Sequence, residues 1–175
     1  MSRIKEENIM ERWFTGIYGA KGKSEELLRD FNRRVEEAAI PGISLEWVDL
    51  SPAGGGFKGM FKGQNKVRKF VLIRNANLEG YVIYVGSKDY GNQLLTSWYL
   101  VADKHKMSAK SKMIERSLGH AVSFMDLDLF DVEEMSAYAT IVHEAIKGAV
   151  EDLMEGLNLD FTKVDTHTRG FLNIS

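Results

Sequence analysis

Residues 81–101 read YVIYVGSKDYGNQLLTSWYLV, and this stretch decides the fold. Its two runs are rich in valine, isoleucine, tyrosine, tryptophan and threonine, side chains that suit a pleated, half-buried surface. Between them stands Lys88-Asp89-Tyr90-Gly91-Asn92, with residue types that tolerate positive φ, so the whole reads as a β-hairpin. On the second run Leu94, Thr96, Trp98 and Leu100 share one face, and Leu95, Ser97, Tyr99 and Val101 share the other. Both faces are largely apolar. The strand is therefore expected inside a sheet, covered on one side by helices and on the other by further material.

Strands continue upstream. Val67 to Arg74 reads as one, with Arg68, Phe70 and Leu72 facing the same way. ISLEWVDL, residues 43–50, alternates Ile43, Leu45 and Trp47 against Ser44, Glu46 and Val48. RWFTGIYG, residues 12–19, reads as a strand, or alternatively as the end of a helix running from Glu6 through Phe14. Between these lies a helix whose start is marked by Ser24 as N-cap, followed by Glu25 and Glu26. Leu27, Leu28, Phe31, Val35, Ala38 and Ala39 recur at helical spacing, and Pro41-Gly42 stops it.

Downstream, residues 103–120 form a polar, basic connection with a short helix around Ala109 to Leu118. SFMDLDLF, residues 123–130, alternates as a strand, with Met125, Leu127 and Leu129 inward. Asp131 and Glu134 then fit a capping box ahead of a long helix. Its apolar stripe runs through Met135, Tyr138, Ala139, Val142, Ala145, Ile146, Ala149, Val150, Leu153 and Met154 and closes at Gly156. A last short strand is expected around Phe161 to Asp165.

Strands thus cluster in the middle with helices flanking them. This order argues an α+β fold: an antiparallel sheet with a central hairpin and two amphipathic helices packed on one face. Residues 1–175 are expected to make a single domain, with flexible loops near 52–66 and 103–120 and a mobile tail over 158–175. No internal repeat is present.

The chain has no cysteine, which excludes disulfides, thiolate zinc sites and cysteine nucleophiles. Met1 to Glu11 lacks the apolar run of a signal peptide, and no stretch has the length and apolarity of a membrane span, so a soluble cytoplasmic protein is expected. The net charge of −2 conceals a segregation. Residues 51–120 carry 12 Lys/Arg against 4 Asp/Glu, whereas residues 121–175 carry 3 against 11. Such asymmetry points to interaction surfaces.

Residues 54–69, GGGFKGMFKGQNKVRK, invite comparison with a phosphate loop. A P-loop requires Ser or Thr after its lysine and a helix behind it, and this stretch has neither. It does combine Phe57, Met60 and Phe61 with Lys58, Lys62 and Lys66, and continues into Arg68 and Lys69. Apolar residues beside lysines suit stacking on single-stranded bases, contact with an anionic bilayer, or docking on another subunit. A mobile connection is the plainer reading of the same glycines.

Other candidates are weaker. His143 falls beside Thr140, Glu144, Lys147 and Glu151 and reads as a solvated surface residue, since its spacing is not that of a metalloprotease helix. Asp126 and Asp128 share a strand face, and His167 alternates with Asp165 and Arg169; together Asp126, Asp128 and His167 form an alternative polar site. Tyr81, Tyr84, Trp98 and Tyr99 are candidates to line a small-ligand cavity, although aromatics at strand spacing more often form core. No catalytic motif occurs, and no metal or cofactor is expected. The sequence favours a non-catalytic module that self-associates as a homo-oligomer and presents basic loops to an anionic partner, a nucleic acid or a membrane surface. The alternative is a ligand binder or enzyme with a pocket between sheet and helices.

Overall fold

The computed structural model describes residues 8–50, 68–102, 129–170, 172 and 174. In chain order its elements are β1 (Ile9–Tyr18), α1 (Ser24–Glu37), β2 (Ile43–Leu50), β3 (Arg68–Asn75), β4 (Tyr81–Tyr90), β5 (Gln93–Ala102), α2 (Leu129–Gly156), a 3₁₀ turn (Phe161–Lys163) and β6 (Arg169–Gly170). The strands form one six-stranded antiparallel sheet in the order β2-β3-β4-β5-β1-β6. The fold is α+β.

β4 and β5 form the expected hairpin, and it is tighter than the sequence suggests. Pairing runs unbroken from Tyr81↔Ala102 to Tyr90↔Gln93, leaving only Gly91-Asn92 as the loop. Gly91 has φ +61°, the glycine-first pattern of a type II′ turn, whose twist matches that of paired strands. Lys88, Asp89 and Tyr90 are consequently strand residues.

β1 is a strand, which settles the open reading of residues 12–19. It pairs with β5, far along the chain, while α1 carries the backbone across the sheet to β2 at the opposite edge. Trp13 and Ile17 of β1, Val71 and Ile73 of β3, Ile83 and Val85 of β4, and Leu94, Trp98 and Leu100 of β5 point to one side. There they meet Leu27, Leu28, Phe31 and Val35 of α1 and the whole α2 stripe, all in one buried cluster. All ten residues of that stripe are buried. Burying each large side chain contributes about 1.5–3 kcal/mol, so the helix–sheet interface is the main source of cohesion.

The two helices also touch directly. Arg34 bonds Asp30 on its own helix and reaches Asp152 of α2. Its path crosses Gly148, where a Cβ would stand 2.5 Å from the guanidinium. Partial burial pushes the Asp30 carboxyl up, but hydrogen bonds from Arg34 and Arg33 outweigh it and hold the group below its usual range.

Helix ends depart from the sequence reading. Ser24 is the first residue of α1, not its cap, and Lys23 in the cap position makes no side-chain capping bond. The Ser24 hydroxyl instead donates to the Ser87 carbonyl of β4 at 2.9 Å, tying α1 to the sheet. Ala38 and Ala39 are exposed beyond the helix, and Ala39 turns the chain at φ +48° before Pro41 is reached. α2 starts at Leu129, so Asp131 and Glu134 lie inside it and form no capping box; Glu134 accepts from Asn77 Nδ2 at 2.9 Å. Leu129 is helical and 69 % exposed, not an inward strand residue. Residues 123–128, like the short helix expected near 109–118, lie outside the described residues.

α2 ends at Gly156 as expected, but the left-handed turn that terminates it is made by Asn158, at φ +56°, with Leu159 N bonding Met154 O and Asn158 N bonding Glu155 O. This is the Schellman arrangement, with asparagine in the left-handed position. The strand expected at Phe161 to Asp165 is a 3₁₀ turn, and the tail's strand forms later, where Arg169 and Gly170 pair with Arg12 and Glu11. The tail folds back on itself through Thr168 N to Ile174 O at 2.9 Å and Ile174 N to Thr168 Oγ1 at 2.8 Å. No helix among the described residues is long and apolar enough to cross a membrane.

Val142 is fully enclosed between α2 and the sheet. Val142→Asp is expected to cost about 3–5 kcal/mol through an unpaired buried charge. Thermal melting checks this; a variant melting near wild type contradicts the helix facing described here.

Candidate functional site

The structure places the sequence-derived candidates unevenly. Phe57, Lys58, Phe61, Lys62 and Lys66 lie outside the described residues, as do Asp126 and Asp128. Arg68 and Lys69 open β3 and are exposed, with Lys69 on the side of α1 and α2 and Arg68 on the opposite face, called helix-free here because no described helix packs on it. Lys69 borders a surface groove of about 600 Å³ between α1 and β2, with Trp47, Arg29 and Glu36. The four hairpin aromatics do not line a common cavity. Tyr81 and Trp98 belong to the core under the helices, whereas Tyr84 and Tyr99 pack in a smaller cluster on the opposite face.

His143 is the clearest correction. It is fully buried, not solvated. Trp98 Nε1 donates to His143 Nδ1 at 3.0 Å, and His143 Nε2 lies 2.8 Å from the Thr166 carbonyl oxygen. An indole N–H can only donate, so Nδ1 must be unprotonated and Nε2 must carry the proton that it donates to Thr166. Trp13 stands edge-on to the imidazole at 5.4 Å and sends its own Nε1–H to the Asp165 carbonyl at 2.7 Å. Burial holds the imidazole pKa below its usual 6.5, with Lys147 adding to the effect. With both nitrogens bonded and the ring enclosed, this histidine is a structural clamp. Its spacing carried the signal: it lies four residues after Ala139 and three before Ile146, inside the apolar stripe.

His167 is exposed in the tail. Its backbone N–H bonds Asp165 Oδ1 at 3.1 Å, its ring nitrogen lies 3.4 Å from the same oxygen, and Arg169 approaches Asp165 Oδ2 at 3.9 Å. The His167 backbone N–H is the leading reason the Asp165 carboxyl sits below its usual range. A shallow depression of about 210 Å³ joins Asp165, His167 and Arg169 to Arg12, Trp13 and Phe14. The three polar residues do come together, next to β1.

Register assembles a larger feature that single segments do not show. Directly opposed residues in antiparallel strands share a face. One row across the helix-free side therefore runs Glu46, Leu72, Tyr84, Tyr99, Arg12 and Arg169, and the next runs Val48, Phe70, Gly86, Ser97 and Phe14. Gly86 leaves room for the Phe70 ring, which lies 2.5 Å from where its Cβ would be. At the hairpin end Tyr18 and Tyr90 flank Gln93. Phe14, Tyr18 and Tyr90 are 58 %, 69 % and 66 % exposed. Cations on this face are Arg12, Arg68, Arg74, Lys88 and Arg169; Glu46 is its sole strand carboxylate among the described residues. Across the molecule α2 carries seven carboxylates and one lysine.

No set of three or more His, Asp or Glu side chains among the described residues is placed to hold a metal ion. No protein-family model matches the chain, and no curated protein matches it.

The clamp has a pH signature. The unfolded chain takes up the His143 proton before the folded one does, so this group's contribution to stability is full above the ordinary imidazole range and declines as pH falls through and below it. His143→Gln is expected to lose about 1–3 kcal/mol at neutral pH and to flatten that acid-side decline. Denaturant titrations of both proteins at several pH values check this; parallel pH curves contradict it.

Proposed function

We propose that this chain is a non-catalytic interaction module that self-associates and meets an anionic partner through basic side chains. The observation that carries the reading is the separation of charge by face: cations on the helix-free side of the sheet, carboxylates on α2. Such a distribution focuses an anion on one side and repels it from the other. Arg68, from the basic 57–69 stretch, stands on that face at the start of β3.

Two further features support it. The space between sheet and helices is occupied by Trp13, Trp98, Phe31, Tyr138 and Met135, each 2 % exposed or less, which favours a packed core over a ligand pocket there. β2 lies at one end of the sheet and carries Trp47, 50 % exposed. A strand edge that no other described strand pairs, with an exposed indole on it, is a template for pairing with a second copy.

Inorganic polyphosphate, a polyanion without rings, tests the electrostatic half. Binding should weaken steeply with salt, and Arg68→Gln with Lys88→Gln should lower the slope of log affinity against log salt by about one unit for each phosphate no longer neutralised. Absence of binding at low salt removes the anionic partner. Light scattering tests the other half: a monomer at every concentration removes self-association.

A further inference from the structure

The geometry points to single-stranded nucleic acid as the ligand of the helix-free face at its hairpin end, with bases stacked on Phe14, Tyr18 and Tyr90 and phosphates held by Arg12, Lys88 and Arg169. This rests on the anionic-partner reading above and goes beyond it by naming the partner's chemistry.

Three observations carry it. The rings are exposed and stand on one face of the sheet. Phe14 and Tyr18 are four residues apart on β1, a spacing of about 13 Å along a strand, with side-chain-free Gly16 between them. Rings at such intervals suit successive or alternate bases of an extended strand, and every base offers a π-face whatever its identity.

Second, the cations accompany the rings. The Arg169 guanidinium lies 5.7 Å from the Phe14 ring centre, and the Lys88 ammonium 5.6 Å from that of Tyr90. A base stacked on the open side of either ring brings its phosphate within reach of the adjacent cation. Arg12 stands directly opposite Arg169 in the β1–β6 pairing. Asp165 lies 3.9 Å from Arg169, and a phosphate seated between the two guanidiniums would give both a further charged acceptor.

Third, the ground between the rings is hollowed, with polar groups set around Leu95. Ser97 is opposite Phe14, and Gln93 separates Tyr18 from Tyr90. A depression of about 200 Å³ opens among Phe14, Arg68, Phe70, Lys88 and Ser97. Hydroxyl and amide groups there can bond base edges. Against a bilayer the same groups would lose water and gain nothing, which disfavours lipid. A duplex hides its base faces and leaves the rings nothing to stack on.

The experiment measures fluorescence anisotropy of a labelled oligo(dT) 12-mer and an oligo(U) 12-mer with the full chain at two salt concentrations. Inorganic polyphosphate, a duplex of equal length and phosphatidylserine vesicles serve as comparison probes. Wild type should bind both single strands more tightly than polyphosphate or duplex. Removal of a ring by Phe14→Thr, Tyr18→Thr or Tyr90→Thr should weaken single-strand binding about tenfold each. Those variants should leave polyphosphate binding and the salt slope unchanged. Arg12→Gln with Arg169→Gln should instead reduce the slope for every polyanion. The rings are exposed and threonine suits a strand, so melting should stay near wild type; single variants decide the matter should a combined one unfold. Single strands bound no better than polyphosphate, or ring variants bound as well as wild type, overturn the proposal while leaving the anionic partner standing. Tight vesicle binding without single-strand binding does the same. Failure of every polyanion at low salt overturns both.

Discussion

The Trp98–His143–Thr166 chain of hydrogen bonds is the constraint on which the arrangement turns. It joins the middle of β5, the middle of α2 and the tail at one point, with Trp13 of β1 alongside. Each partner can play only one role. The indole must donate, the carbonyl must accept, and the neutral imidazole between them satisfies both in a single tautomer. Apolar packing is tolerant of small slides, whereas this relay is not. It fixes the height of α2 over the sheet and the path of residues 165–166, and with them the position of β6. A hydrophobic residue at 143 would fill the space yet leave Trp98 and Thr166 without partners, a cost of the same order as the packing it adds.

That position matters because β6 is what completes the edge of the basic face. Arg169 is brought opposite Arg12 and over Phe14 only because Asp165 O and Thr166 O are held by Trp13 and His143 on the other side of the same strand pair. Core and surface are thus coupled across one layer of sheet. Gly170 allows the approach: its φ is +155°, and a Cβ there would fall 2.2 Å from the Met10 carbonyl oxygen. Inward residues of β1, Trp13 and Ile17, supply its cohesion, so its outward rings, Phe14 and Tyr18, can stand exposed without weakening the sheet.

What the sequence discloses follows from how local each feature is. The hairpin, the α2 stripe and the alternation of β2 are written within ten or twenty consecutive residues, and all are present in the fold. Helix termini are less legible because their polar side chains have competing partners elsewhere: Ser24 finds Ser87, and Glu134 finds Asn77. His143 misleads because its polarity argues for solvent while its spacing argues for the core. A stripe position four residues from one apolar neighbour and three from another is a buried position whatever occupies it. The basic face is beyond reach for a different reason. Its residues come from β1, β3, β4 and β6, and no sequence rule pairs Arg12 with Tyr99 and Arg169. Of the basic 54–69 stretch, Arg68 stands on the face that register assembles and Lys69 on the opposite one.

One plainer account of that face is protective: charges beside exposed aromatics on a sheet discourage edge-to-edge association. Such protection is indifferent to sign. Glutamate or aspartate would serve as well as arginine, and this chain has 25 acidic residues against 23 basic ones to draw on. Yet Arg12, Arg68, Arg74, Lys88 and Arg169 share the face with Glu46 as the one strand carboxylate among the described residues, while seven carboxylates lie on α2 and five on α1. A surface chosen only to stay in solution would mix the two signs, because mixed charge avoids the self-repulsion of opposed arginines. Asp165 stands beside Arg169 at that edge and tempers its opposition to Arg12. Even so, five cations on the described face outnumber Glu46 and Asp165, and that excess of one sign is the physical reason to read the face as a binding surface.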